Sequence, residues 1–156
     1  MIANLVPFVA LSEIGLRPGD TVIVAPATSR FGGGALAIGA TVVAYGRSET
    51  TLKRMKEVFA HTEEIKSIIL AGDREKDAHL MIEASENGGK GADAYTDFSP
   101  AAVAESTHIA SALTALRPFG KAVFMGGIWG HIKLEYNMII MRTLRIQVCH
   151  QYHLAL

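Results

Sequence analysis

The chain has 156 residues, of which 49% are hydrophobic and 19% charged, and its 15 basic and 15 acidic residues cancel. This composition excludes a disordered chain, and a net charge of zero gives no support for a nucleic-acid partner or for membrane-surface binding. The single cysteine excludes an internal disulfide, and no apolar run reaches the roughly 18 residues of a membrane span, so we predict one cytoplasmic domain over residues 1–156.

Short apolar segments alternate along the chain with segments of helical character. In chain order, the predicted elements are a helix at Ile2–Ile14, a strand at Thr21–Ala25, a short helix at Phe31–Ile38, a strand at Thr41–Tyr45, a helix at Thr51–Phe59 capped by Ser48, a strand at Lys66–Leu70, a helix at Glu75–Glu86, a strand at Ala92–Thr96, a long helix at Ala101–Leu116, a strand at Lys121–Met125, a helix at Glu135–Met141 and a strand at Leu144–Val148. This alternation predicts a three-layer α/β fold, a doubly wound Rossmann domain of about six mostly parallel strands.

The turn after the first predicted strand is the most informative stretch of the chain. An apolar strand, a tight turn and a helix start form the arrangement that binds a pyrophosphate in dinucleotide-binding folds. The three positions that this motif normally fills with glycine fall on Ala27, Ser29 and Gly32. Two interpretations of the turn therefore remain at this point: a working cofactor site and the relic of one. The candidate cofactor-binding residues of the turn are Ala27, Thr28, Ser29, Arg30, Phe31 and Gly32.

The residues after the second predicted strand bear on the choice of cofactor. NAD enzymes usually place an acidic residue there to bind the ribose 2′-hydroxyl, whereas this chain has Gly46, Arg47 and Ser48. An arginine can bind a 2′-phosphate through two parallel hydrogen bonds, which favours NADP(H) over NAD(H). The alternative is a surface arginine followed by a serine that only caps the next helix.

Two further candidate positions follow later strands. Ser99 comes after the fourth predicted strand, and Gly126 and Gly127 come after the fifth, where ligands of doubly wound folds bind. Ordinary loop chemistry is the alternative interpretation of both positions.

Histidine and cysteine give no metal or nucleophile pattern in the sequence. Cys149, His150 and His153 have metal-ligand chemistry but no fourth ligand, so we predict no metal site there. No combination of serine, histidine and aspartate typical of nucleophilic catalysis is recognisable. For the remaining histidines we expect solvated or capping roles; these are His61, His79, His108 and His131.

Five segments in order resemble the cofactor domain of the medium-chain dehydrogenases/reductases, the relatives of zinc-type alcohol dehydrogenases and quinone reductases. The segments are Gly19–Thr28, Phe31–Gly33, Ile38–Ala44, Leu116–Gly127 and Met141–Ile146. The resemblance implies an oxidoreductase domain that binds a nicotinamide cofactor, with Gly126 and Gly127 near the nicotinamide. It also implies a homodimer formed by extending the sheet through the last strand.

The same resemblance suggests a truncated relative. The family carries its substrate pocket, and any zinc ligands, mainly on a separate N-terminal domain that this sequence does not include. We therefore expect no zinc and no independent catalysis, and we retain as an alternative a non-catalytic interaction or dimerisation module with the same fold.

Overall fold

The computed structural model describes residues 2–17, 19–28, 41–60, 65–103 and 105–149. Its elements in chain order are α1 (Ile2–Ile14), β1 (Thr21–Ala25), β2 (Thr41–Gly46), α2 (Glu49–Val58), β3 (Ile65–Ile69), α3 (Arg74–Ala84), β4 (Ala92–Asp97), a 3₁₀ turn (Ala101–Val103), α4 (His108–Thr114), β5 (Leu116–Phe124), α5 (Tyr136–Met141) and β6 (Arg145–Val148). Within these described ranges, no helix has the length and apolar character needed to cross a membrane.

The six strands form one sheet in the order β3-β2-β1-β4-β5-β6, and every neighbouring pair is parallel. The predicted doubly wound α/β fold is therefore confirmed. The chain winds outwards from β1 to β3 on one side and from β4 to β6 on the other. A crevice opens where the winding reverses, at the carboxyl ends of β1 and β4, and this is the place where such sheets bind ligands.

Strand side chains alternate between the two faces of the sheet, and each face is covered by helices. Val22 and Val24 of β1 pack with α1 and α2, whereas Ile23 and Ala25 pack with α3 and α4. All five residues of β1 are buried, because the strand lies at the centre of the sheet and is covered on both faces. This packing gives the three layers that the sequence predicts.

Most predicted strands agree with the observed ones within one residue, but the prediction of one long helix over Ala101–Leu116 is wrong. The Ala115 carbonyl oxygen accepts a hydrogen bond from the Ala92 N–H (2.9 Å), and Leu116 pairs with Ala92 in the sheet. Buried Leu116 thereby begins β5, five residues before the predicted start of that strand. The predicted helix Phe31–Ile38 lies outside the described residues.

A glycine makes this early start of β5 sterically compatible with β4. Gly91 has a φ of 89°, and a Cβ atom at this position would collide with the Ala115 carbonyl oxygen. A side chain at position 91 would therefore push the end of α4 away from the sheet.

Candidate functional site

A cavity of about 350 Å³ opens at the carboxyl ends of β1, β2 and β4, and we name it the β1–β2 cavity. The crossing point of the strands brings together residues that are far apart in the sequence. Five of the predicted site residues line it: Thr28, Gly46, Arg47, Ser48 and Ser99.

The turn after β1 packs directly on the end of β2. The Ala27 N–H donates to the Tyr45 carbonyl oxygen (3.2 Å), and Ala27 is buried in the core rather than among the cavity-lining residues. A Cβ atom at Gly46 would stand 3.2 Å from the Thr28 methyl group, so the glycine allows the turn to approach the strand closely. Ser29, Arg30, Phe31 and Gly32 lie outside the described residues.

Arg47 and Ser48 follow β2 at the rim of this cavity. Ser48 caps α2, because its Oγ accepts a hydrogen bond from the Thr51 N–H (3.3 Å), and it also lines the cavity. The Arg47 side chain is exposed, and in the described part of the chain it has no ion-pair partner. An unpaired guanidinium at a cavity rim, next to a helix N-terminus, can bind an anionic group.

A second cavity of about 420 Å³ opens at the carboxyl ends of β5 and β6, and we name it the β5–β6 cavity. Gly126, Gly127 and Asp97 are among the residues that line it. Apolar and sulfur-bearing side chains provide most of the remaining wall: Ile109, Phe124, Ile128, Trp129, Ile132, Val148 and Cys149. A largely apolar cavity with a few convergent polar groups suits a small aromatic or aliphatic ligand.

A buried chain of hydrogen bonds lies between the two cavities. The Tyr45 hydroxyl donates to the Tyr95 hydroxyl (3.3 Å), which donates to Asp97 Oδ1 (3.0 Å). The Ser99 Oγ donates to the same carboxylate oxygen (2.5 Å) and lies 2.6 Å from His108 Nε2. Asp97, Ser99 and His108 are 3%, 0% and 4% exposed. The expectation of a solvated or capping role for His108 is therefore wrong.

The order of these groups differs from that of a nucleophilic triad. In such a triad the histidine stands between the carboxylate and the serine and removes the serine proton. Here Ser99 stands between Asp97 and His108 and donates its hydroxyl hydrogen to the carboxylate, so the histidine is not placed to remove that proton. The arrangement organises the protein interior rather than attacking a ligand.

The two tyrosines of the network are held in their neutral form. Burial raises the pKa of Tyr45 and the pKa of Tyr95 well above the ordinary value of a phenol, and the nearby Asp97 charge adds to both effects. Both hydroxyls therefore remain hydrogen-bond donors throughout the physiological pH range.

Sequence reasoning missed this network because Tyr45 and His108 come from elements that are distant in sequence from β4. Tyr95 and Asp97 share one face of β4, and the polar Asp97 at the end of a buried strand was a signal of a site. His108 begins α4, and only the packing of α4 against β4 brings its ring to Ser99. No three metal-ligating side chains converge within the described ranges, which include Cys149 but not His150 or His153.

Comparison with known proteins finds similarity in structure. No protein-family model and no curated protein sequence matches the chain. An NAD-dependent alcohol dehydrogenase matches 99% of this chain and 44% of its own, with a TM-score of 0.70 and 24% identity. A mycobacterial quinone oxidoreductase, also solved in complex with NADPH, matches 97% of this chain and 45% of its own, with a TM-score of 0.76 and 18% identity.

A third structure corresponds to a single subdomain. The nucleotide-binding subdomain of the enoylreductase domain of PpsC from Mycobacterium tuberculosis matches 95% of this chain and 79% of its own, with a TM-score of 0.70 and 19% identity. The chain thus spans less than half the length of the alcohol dehydrogenase and of the quinone oxidoreductase. It has the same fold as the nucleotide-binding subdomain of that enoylreductase and as the matching parts of the other two enzymes.

Proposed function

We propose that the chain is a single dinucleotide-binding domain that holds a nicotinamide cofactor across the carboxyl edge of its sheet. The observation that carries this proposal is the convergence of predicted site residues on two neighbouring cavities. Thr28, Gly46, Arg47, Ser48 and Ser99 line one cavity, and Gly126 and Gly127 line the other. We assign the adenosine half to the β1–β2 cavity beside Arg47 and the nicotinamide half to the β5–β6 cavity beside Gly126 and Gly127. The quinone oxidoreductase with the same fold binds NADPH, which supports this assignment.

The single tryptophan of the chain offers a direct test of this binding. Trp129 lines the β5–β6 cavity and is 86% exposed. A reduced nicotinamide ring bound there would quench its emission. We expect saturable quenching by NADPH with half-saturation at about micromolar concentration, the range of −8 kcal/mol binding. Trp129→Phe removes the signal and serves as the control.

We propose further that NADP(H) is preferred over NAD(H). The end of β2 carries the Arg47 guanidinium and the Ser48 hydroxyl at the cavity rim and no carboxylate to bind a free ribose 2′-hydroxyl. A 2′-phosphate would receive charge-assisted hydrogen bonds from Arg47.

Replacing Arg47 with aspartate tests the preference. The dissociation constant of NADPH is expected to rise by about 10- to 100-fold, the cost of losing a hydrogen bond to a charged group. The dissociation constant of NADH should change by less than about threefold, because NADH has no 2′-phosphate to lose. Arg54→Asp, at an exposed position of α2, makes the same charge change outside the cavity. Equal losses for both cofactors would contradict the role of Arg47.

Absence of independent turnover is also part of the proposal. Among the described cavity-lining residues, the carboxylate of Asp97 and the imidazole of His108 are both engaged with Ser99, so neither is placed to exchange a proton with a bound substrate. Incubating the chain with NADPH and alcohol, aldehyde or quinone substrates measures this directly.

A cytoplasmic location belongs to the same proposal and rests on the single cysteine.

A second candidate function, self-association, has its own support at the edge of the sheet. Among the described strands, β6 pairs with β5 alone, and exposed apolar side chains lie on and beside it: Ile140 at 52%, Met141 at 82% and Val148 at 76%. The Cys149 N–H donates to the Phe124 carbonyl oxygen of β5. Because successive N–H groups of a strand point in opposite directions, those of Ile146 and Val148 point away from β5, towards the free edge of the sheet. We propose a two-fold homodimer that pairs β6 with its copy.

Proline at either outward position is expected to convert the dimer to a monomer. Ile146→Pro and Val148→Pro each remove an N–H at the free edge without removing a hydrogen bond to β5. Val148→Pro replaces an exposed side chain and leaves the partly buried Ile146 side chain in place. Light scattering at about ten micromolar protein gives the mass, since modest interfaces are populated there. A monomeric wild-type chain, or a dimer that survives both substitutions in folded protein, would refute this interface.

A further inference from the structure

We infer that the hydrogen bonds among Asp97, Ser99 and His108 couple the two cavities into one site, with His108 as the positioning residue. The inference deepens the proposed function and rests on it for the identity of the ligand. His108 and Ser99 line the β1–β2 cavity, whereas Asp97 lines the β5–β6 cavity. The serine hydroxyl joins them through contacts of 2.5 and 2.6 Å.

Counting protons fixes the direction of these bonds. Asp97 Oδ1 accepts from the hydroxyls of Tyr95 and Ser99. The only hydroxyl hydrogen of Ser99 is thus used, so its contact with His108 requires that Nε2 carry a proton and donate it. Among the described residues, two titratable groups lie close to the imidazole: the Tyr45 ring of β2, with ring centroids 6.2 Å apart, and Asp97 of β4, whose Oδ1 is 3.6 Å from Nε2. His108 therefore holds Ser99 from one side while Asp97 holds it from the other.

The backbone of Ser99 carries the coupling to the loop after β5. The Gly127 N–H donates to the Ser99 carbonyl oxygen (2.8 Å), and the Met125 N–H donates to the Asp97 carbonyl oxygen (2.9 Å). The Ser99 N–H in turn faces Asp97 Oδ2 at 3.4 Å. Losing the His108 donor would loosen Ser99 and, through its carbonyl oxygen, the position of Gly127. Gly127 lines the β5–β6 cavity, whereas His108 does not.

Two ligands separate positioning from direct contact. Adenosine 2′,5′-bisphosphate can occupy only the β1–β2 cavity, whereas NADPH spans both cavities. In His108→Leu and in Ser99→Ala we expect the dissociation constant of NADPH to rise about tenfold, the equivalent of one hydrogen bond. That of the bisphosphate should rise less than about threefold, because the Ser99 and His108 side chains are buried at the wall of its cavity and contact each other. His108→Gln keeps an amide donor at the same reach and should restore NADPH binding to near the wild-type value.

A measurement without ligand tests the coupling independently of cofactor binding. If the chain binds no dinucleotide, that result refutes the proposed function and leaves the coupling to be decided by this measurement. Amide hydrogen exchange at Gly127 should be about tenfold faster in Ser99→Ala and His108→Leu, and near wild type in His108→Gln. The amide of Ile23, in the buried central strand, reports any general loss of stability. Unchanged exchange at Gly127 in both disruptive variants would overturn the inference, as would equal weakening of NADPH and of the bisphosphate.

Discussion

Replacing Gly126 with alanine is expected to weaken dinucleotide binding at least about tenfold and to lower the free energy of unfolding by about 1–3 kcal/mol, the usual cost of overpacking. A Cβ atom at this position would stand 2.6 Å from Asp97 Oδ2, 2.7 Å from the Ser99 carbonyl oxygen and 2.9 Å from the Ser99 nitrogen. Two of these atoms belong to the backbone and cannot rotate away. The loop after β5 must therefore move, and its movement breaks the contact between Gly127 and Ser99.

The neighbouring glycine provides a matched control for the effect on stability. Gly127 is also exposed, and a Cβ atom there would meet nothing within 4 Å. Gly127→Ala should change the free energy of unfolding by less than about 0.5 kcal/mol, as ordinary surface substitutions do. Urea denaturation measures stability, and NADPH titration measures binding. Equal effects of the two substitutions would mean that Gly126 does not hold the position described.

Raising the pH above about 10 is expected to destabilise the fold steeply through Tyr45 and Tyr95, because unfolded phenols ionise near that value. Burial raises the pKa of both groups in the folded state, so the folded protein keeps two protons that the unfolded chain releases. Their contribution to stability is fully present below the unfolded pKa and falls as pH rises towards the folded pKa. The slope approaches about 1.4 kcal/mol per pH unit for each tyrosine.

Urea denaturation between about pH 9 and 11 measures this slope, since that window brackets the phenol pKa. Tyr45→Phe removes one of the two groups and should reduce their joint contribution to the slope by about half. Tyr136→Phe makes the same chemical change at a side chain that is 73% exposed, and it should leave the slope unchanged. Parallel curves for wild type and Tyr45→Phe would rule out protected phenols.

The sheet could be predicted from the sequence because its strands are short apolar runs between clear turns. Thr21–Ala25 is such a run, and the observed β1 has the same bounds. Leu116 shows where this reasoning fails. Local sequence places it at the end of a helix, but the hydrogen bond from Ala92 to Ala115 draws it into the sheet, and that contact depends on residues far away in sequence.

The site was predictable to the extent that it follows from topology. Arg47 and Gly127 follow parallel strands, and the carboxyl ends of parallel strands share one edge, so their neighbourhood could be predicted without coordinates. The partnership of Ser99 and His108 could not, because it depends on how α4 packs and on the direction of one imidazole nitrogen. The spacing of apolar residues along the sequence indicates which face of a helix or strand is buried. It does not indicate which side chains of different elements form hydrogen bonds with each other.

The strand order also has a consequence for biosynthesis. β1 lies between β2 and β4, and β4 is made only after β2, β3, α2 and α3. One side of β1 therefore has no partner strand until β4 has been synthesised. Its sequence, Thr-Val-Ile-Val-Ala, has no charge and no proline, which is the composition of segments that pair with other exposed strands. Between the translation of β1 and that of β4, we therefore expect this edge of β1 to be open to pairing with other exposed strands.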